Sequence, residues 1–195
     1  MALTLGRVGA VPAFVLLWQS PGAAAAAAAT GLFVAAAVTD FLDGYLSRRW
    51  HVTSDFGAFL DPVADKLMVT AALVLLTASS GQASPLCTLC AMTILGREIA
   101  MSALREWAAG AGPAARASVA VGWAGKLKTT VQLVALSTLC LARVPGTSPR
   151  LFQAGTALLA AAAFLTLWSV AEYFILIWPY LIGRRCPKTG AGLDR

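Results

Sequence analysis

The chain has 195 residues, 58% of them hydrophobic and only 12% charged. With a mean hydropathy of +0.74, that balance excludes an ordinary soluble domain and makes residues 1–195 one membrane domain. The net charge of +6 does not imply nucleic acid as a partner. The basic residues lie at the ends of apolar runs, where they suit anionic lipid or substrate phosphates.

Leu3 to Trp18 is the first apolar segment, with Arg7 near its start and Pro12 inside. It predicts a membrane helix tilted or kinked at the proline. No small-residue cleavage site and polar mature chain follow, so it does not read as a signal peptide. Gln19 to Gly22 is a tight turn. A second helix is expected from Ala23 to Arg49, its alanine run Ala23–Ala29 letting neighbouring helices approach closely.

The last third of that helix carries Asp40, Asp43, Gly44 and Arg48, and the next predicted helix opens with Gly57, Asp61 and Asp65. Four carboxylates thus fall within 26 residues of a chain that has nine acidic residues in all. Spacings of three and four put each acid pair on one helix face, and a short turn lets the two pairs meet. Any single Asp at a helix end is more often a solvated cap. A cluster beside apolar runs is different, because an unpaired charge at mid-membrane costs about 2.5–3.5 kcal/mol on insertion scales. Hard oxygen ligands gathered in this way call for Mg²⁺, Mn²⁺ or Ca²⁺ rather than zinc.

Ser54 and Asp55 are candidate caps for the third helix, Pro62 is expected in its first turn or kinking it there, and the helix runs to Ala78. After the uncharged turn Ser79–Pro85, a fourth helix spans Leu86 to Trp107 and gains Arg97, Glu98, Arg105 and Glu106 in its second half. A fifth begins near Val119, carries Lys126 and Lys128 early and runs apolar to Ala142. Arg143–Arg150 is a turn, and the sixth helix extends from Leu151 to about Ile182, with Glu172 expected to be buried in it against a basic residue of a neighbour. Cys87 and Cys90 form a C-x-x-C without a second pair, in an apolar helix start, and read as structural. The single His51 reads as a surface residue.

The expected fold is therefore all-α, a bundle of six transmembrane helices with both termini on one side. On that side, with the acidic cluster, fall 13 of the 15 basic residues, leaving Arg143 and Arg150 opposite. The positive-inside rule makes the Asp-bearing face cytoplasmic, and Trp50, Trp107, Trp123 and Trp178 gather near it as an interfacial belt would. Arg97, Arg105, Lys126 and Lys128 suit a phosphate-bearing ligand as a group, although each alone reads equally well as topological anchoring.

The pattern D-x2-D-G-x2-[A/S]-R-x8-G-x3-D-x3-D, running from Asp40 to Asp65, resembles the signature of the CDP-alcohol phosphatidyltransferases. Ser47 stands where the family usually has Ala. The stretches Leu3–Val8, Arg97–Trp107, Gly125–Thr130 and Thr166–Ser169 are similar to the bacterial branch that accepts sn-glycerol 3-phosphate. Family members carry extra residues at the front, including an Asn-Pro-type amphipathic lead-in, while this chain starts almost at the Thr4 position. A truncated start or a missing surface helix is the expectation there.

The resemblance implies transfer of a phosphatidyl group from CDP-diacylglycerol to sn-glycerol 3-phosphate, releasing CMP, at the cytoplasmic face of the cell inner membrane. It implies two divalent cations, Mg²⁺ or Mn²⁺, held by Asp40, Asp43, Asp61 and Asp65, with Asp65 also the catalytic base. Thr4, Arg7, Gly44, Arg48 and Gly57 would bind CDP-diacylglycerol; Arg97, Arg105, Lys126 and Lys128 would bind glycerol 3-phosphate. Membrane lipids and a second copy of the chain, as a homodimer, are the other partners it implies. Rival readings are a sibling enzyme with inositol phosphate, serine or phosphatidylglycerol as acceptor, a membrane transporter, and a non-catalytic scaffold. A transporter fits less well, because no inverted repeat is visible and the charges lie at one face rather than the midplane.

Overall fold

Each long apolar run becomes a helix in the computed structural model, which describes residues 2–50, 55–79, 84–112 and 123–181. Within these helices the side chains at 2–5, 40–50, 55–62, 65, 123–126, 176 and 179–181 are outside the description. The described elements are α1 (Ala2–Gln19), α2 (Ala23–Trp50), α3 (Asp55–Ala78), α4 (Pro85–Ala111), α5 (Trp123–Leu141) and α6 (Pro149–Leu181), with no strand among the described residues.

The boundaries follow local chemistry. Ser84 caps α4, its side chain accepting from the Cys87 amide at 3.1 Å, and Pro85 occupies the first turn, where its missing N–H costs no hydrogen bond. Pro149 opens α6 in the same way, two residues before the expected start. At the far end of α4, Gly112 takes φ 120°, a conformation that side-chain-bearing residues rarely adopt. That helix runs four residues past the expected Trp107 before it stops. Pro12 lies inside α1 without interrupting it. Pro62 is the eighth residue of α3, two turns deeper than the first-turn position expected for it. It cannot donate to the carbonyl four residues back, so one internal hydrogen bond is missing there. Ser54, His51 and the expected start of the fifth helix near Val119 fall outside the described residues.

The helices alternate in direction. α5 packs most extensively on α6, α6 also packs on α4, α1 lies against α2 and α3, and α5 completes the bundle by touching α2 and α3. One continuous core, with Phe14, Phe33, Leu73, Ile94, Leu136 and Leu159 all buried, takes a side chain from every helix. Buried alanines such as Ala29, Ala72, Ala91, Ala135 and Ala162 bring the backbones close. The approach is close at Gly155 on α6, where an added Cβ would stand 2.7 Å from Leu139 Cγ of α5. Close packing of this kind is what holds helices together where the surroundings are as apolar as the interface.

The outer faces are apolar as well. Leu16, Met92, Ile99, Phe164 and Ile175 are all more than 60% exposed. Among the described residues, Pro85–Ala111 and Pro149–Ile175 are each long and apolar enough to cross a membrane, with only a third of the window buried. Shorter apolar stretches are Ala23–Thr39, Lys66–Ala78 and Leu127–Leu141. Buried hydroxyls bond back within their own helix, Thr30 to the Ala26 carbonyl at 2.9 Å and Thr166 to that of Ala162 at 2.6 Å. Such bonds satisfy these two hydroxyls without solvent.

At the end of the bundle where α1 and α5 finish, Trp18 is a clasp. Its indole Nε1 donates to Ser79 Oγ at 3.1 Å, and the Arg143 guanidinium stacks 4.1 Å from its ring and donates to its backbone carbonyl. Burial pulls the Arg143 pKa below the ordinary arginine value. Three chain segments meet at one aromatic ring, and the turn after α5 is fixed. The cysteines Cys87, Cys90 and Cys140 are free and buried, Cys87 Sγ lying 3.8 Å from Thr156 Oγ1. The C-x-x-C is thus core packing, as its apolar setting suggests.

Candidate active site

The opposite end of the bundle holds the charge. A cavity of about 400 Å³ lies between α1, α2, α3, α4 and α5. Its apolar wall includes Phe33, Ala36, Ala64, Met68, Leu95 and Leu133. Its polar wall takes Arg7 from α1, Lys66 from α3, Glu98 and Arg105 from α4, and Thr129, Thr130 and Gln132 from α5. Among the described residues the wall sets three cations, Arg7, Lys66 and Arg105, against one carboxylate, a balance that suits an anion.

Glu98 organises the cations around it. Its Oε1 accepts from Lys128 Nζ at 2.6 Å and from Arg97 Nη1 at 3.0 Å. Lys128 has no exposed surface at all, and Arg97 is buried, its Nη2 reaching Ser169 Oγ on α6 at 3.5 Å. Ser169 in turn donates to the Thr166 carbonyl. The Thr166–Ser169 stretch therefore backs the charged cluster from α6. Two of the expected phosphate ligands, Arg97 and Lys128, are thus engaged with Glu98, and neither lines the cavity. Arg105 does line it, half-buried, with its Nε unpartnered. The Lys126 side chain lies outside the description.

Lys66 joins the cavity from α3 and donates to Ser102 Oγ, which itself donates to the Glu98 carbonyl at 2.9 Å. Lys66 thereby ties α3 to α4 beside Glu98. Sequence reasoning placed Lys66 only among the basic residues of that face, and did not single out Glu98 or Gln132. The available signals were a lysine directly after Asp65, a glutamate in the first charged turn of an apolar helix, and a lone amide within the apolar run of α5. Glu172 is not buried as expected. It is exposed, and its Oε1 accepts from Trp168 Nε1 one turn earlier at 2.9 Å. An i, i+4 pair on the outer face of α6 supplies its partner, so no neighbouring base is required.

Helix register fixes where the acidic motif stands. Ala36 of α2 lines the cavity, and Asp40 and Asp43 follow it by one and two turns along the same helix. Ala64 of α3 lines it too, with Asp65 the next residue and Asp61 one turn before it. The four aspartates, Gly44, Arg48 and Gly57 lie on α2 and α3, and their side chains and that of Thr4 are outside the description. No group of three metal-ligating side chains gathers among the described residues. The donor set itself fits a hard divalent cation: four carboxylates on two successive helices, with no thiolate or imidazole in either acid pair.

A helical bundle with apolar outer faces and a cavity lined by Arg7, Lys66 and Arg105 is compatible with an enzyme that handles phosphate esters beside lipid. The chain belongs to the CDP-alcohol phosphatidyltransferase family, whose model matches residues 1–168. It is similar to the CDP-diacylglycerol–glycerol-3-phosphate 3-phosphatidyltransferase of Escherichia coli (strain K12), 49% identical over 88% of this chain and 90% of that one. It is also similar to the CDP-diacylglycerol–glycerol-3-phosphate 3-phosphatidyltransferase 2 of Arabidopsis thaliana, 45% identical over 92% of this chain and 79% of the relative. The CMP-forming cardiolipin synthase of Oryza sativa subsp. japonica is 46% identical over 92% of this chain, which spans 57% of that relative's length.

Proposed function

We propose that the protein transfers the phosphatidyl group of CDP-diacylglycerol to sn-glycerol 3-phosphate, giving phosphatidylglycerophosphate and CMP. The observation that carries this reading is the cavity lined by Arg7, Lys66 and Arg105, with α2 and α3, the two helices that bear the four aspartates, among its walls. Such a wall matches a small phosphomonoester. Names of two of the relatives specify the same donor and acceptor.

All six helices cross the membrane in this reading, with the aspartate end at the cytoplasmic face of the inner membrane. Asp40, Asp43, Asp61 and Asp65 would hold two divalent cations, Mg²⁺ or Mn²⁺. When bound, these would neutralise the donor's diphosphate and ease the departure of CMP. Gly44 and Gly57 would leave room for the nucleotide against backbone, with Arg48, Arg7 and Thr4 on the donor's phosphates. Arg105 and Lys66 would hold the acceptor phosphate. Arg97 and Lys128, paired to Glu98, would set the field behind it rather than touch it. Asp65, adjacent to Lys66 in the chain, would take the proton from the acceptor's primary hydroxyl. That oxygen forms a bond to the phosphatidyl phosphorus as the bond to the CMP oxygen breaks. Holding both reactants in one cavity makes the attack effectively intramolecular.

A second reading has phosphatidylglycerol as the acceptor, and the similarity to the rice cardiolipin synthase favours it. The two differ in the acceptor's charge and tails. Purified protein in mixed micelles with CDP-diacylglycerol, Mg²⁺ and radiolabelled glycerol 3-phosphate should move label into the lipid phase. Label remaining in the aqueous phase, with cardiolipin formed when phosphatidylglycerol is added, would reassign the acceptor.

A further inference from the structure

Gln132 lies on α5 one turn beyond Lys128 and is 4% exposed, yet it lines the cavity and its Oε1 has no hydrogen-bond partner. Buried side-chain amides are rarely left this way, since an unmet acceptor loses its water without replacement. Methionine or leucine would fill the same place in an otherwise apolar run. The amide is therefore matched to something that enters the cavity and carries a donor. A phosphate dianion has none. The diacylglycerol portion of the donor lipid has none either. The groups that do are the hydroxyls of the acceptor, those of the nucleotide's ribose and the amino group of its cytosine. Gln132 lines the same cavity as Arg105 and Lys66, the two cations assigned above to the acceptor phosphate.

We propose that Gln132 is a specificity-determining residue for the acceptor, its amide oxygen accepting a hydrogen bond from the non-reacting middle hydroxyl of glycerol 3-phosphate. This rests on the reading of glycerol 3-phosphate as the acceptor. A site built to bond a hydroxyl rejects the analogue lacking it, because the buried amide is then left unpaired.

The test compares sn-glycerol 3-phosphate with 3-hydroxypropyl phosphate, which keeps the phosphate and the attacking primary hydroxyl but lacks the middle one. The full-length protein in mixed micelles should favour glycerol 3-phosphate by roughly tenfold to a hundredfold in kcat/KM. Gln132→Met, close in volume, should bring that ratio to within about threefold of one. The ratio is internal to each preparation, so partial misfolding does not move it, and Gln132→Asn provides a second variant. A wild-type ratio near one overturns the assignment, as does a Gln132→Met enzyme that keeps the wild-type ratio. A change instead in the preference for CDP- over dCDP-diacylglycerol overturns it too, by assigning Gln132 to the ribose. A wild type that uses neither phosphate overturns the acceptor reading itself, and this inference with it.

Discussion

Lys128 Nζ lies 2.6 Å from Glu98 Oε1, and the lysine is wholly buried while the glutamate reaches the cavity. A buried cation without its counter-ion is among the costliest defects a fold can carry, commonly about 3–5 kcal/mol when one partner is removed. Glu98→Ala should therefore lower the thermal midpoint in detergent sharply. Removing both charges, as in Glu98→Leu with Lys128→Met, should recover most of the loss. A double-mutant cycle by thermal unfolding checks this; additive losses would mean that the pair is not coupled.

The same relationship separates two classes of cation at the site. Arg105 borders the cavity, and its loss should act on the acceptor alone, raising KM or lowering kcat/KM for glycerol 3-phosphate by roughly thirtyfold or more. Lys128→Ala should instead reduce the yield of folded protein as well as activity. Steady-state kinetics on both variants, normalised to folded protein, distinguish them. Equal loss of donor and acceptor in Arg105→Ala would place that residue on the donor.

Gly155 tests the packing of α5 on α6. Gly155→Ala puts a methyl 2.7 Å from Leu139 Cγ and 3.3 Å from the Leu139 amide nitrogen. The backbone contact cannot move aside cheaply, so a loss of about 1–3 kcal/mol is expected. Thermal unfolding should show it, and Leu139→Ala in the same chain should relieve only the side-chain part.

Much of this was legible in the sequence, and the reasons are particular. Six apolar runs broken by Gly, Pro and Ser gave six helices among the described residues, because the lengths suited helices and the breakers were unambiguous. Pro85 and Pro149 shifted the boundaries by one and two residues, since proline is welcome in a first turn. The Asp40–Asp65 pattern resembled the family's signature, in residue types as well as spacing, and the family model matches residues 1–168. The partners of the basic residues were not legible. Lys126 and Lys128 differ in nothing a linear reading can weigh, and only the packing of α4 on its neighbours sets Glu98 against Lys128, 30 residues away. Glu172 misled for the converse reason: the middle of an apolar helix does not say which face looks outward.

The acidic cluster carries its own prediction. Four carboxylates should repel one another and the donor's diphosphate unless cations lie between them. EDTA should abolish turnover, and Mg²⁺ or Mn²⁺ should restore it. Asp65→Asn should nearly stop transfer while leaving CDP-diacylglycerol binding largely intact; near-normal turnover in that variant would remove it as the base.

The most direct measurement offers both acceptors at once. Purified protein is given CDP-diacylglycerol, Mg²⁺ and equal amounts of glycerol 3-phosphate and phosphatidylglycerol, and the lipid products are resolved by mass spectrometry alongside released CMP. Phosphatidylglycerophosphate should form in step with CMP and account for nearly all of it. Cardiolipin as the main product, or CMP released without phosphatidyl transfer to glycerol 3-phosphate, would contradict the proposed activity.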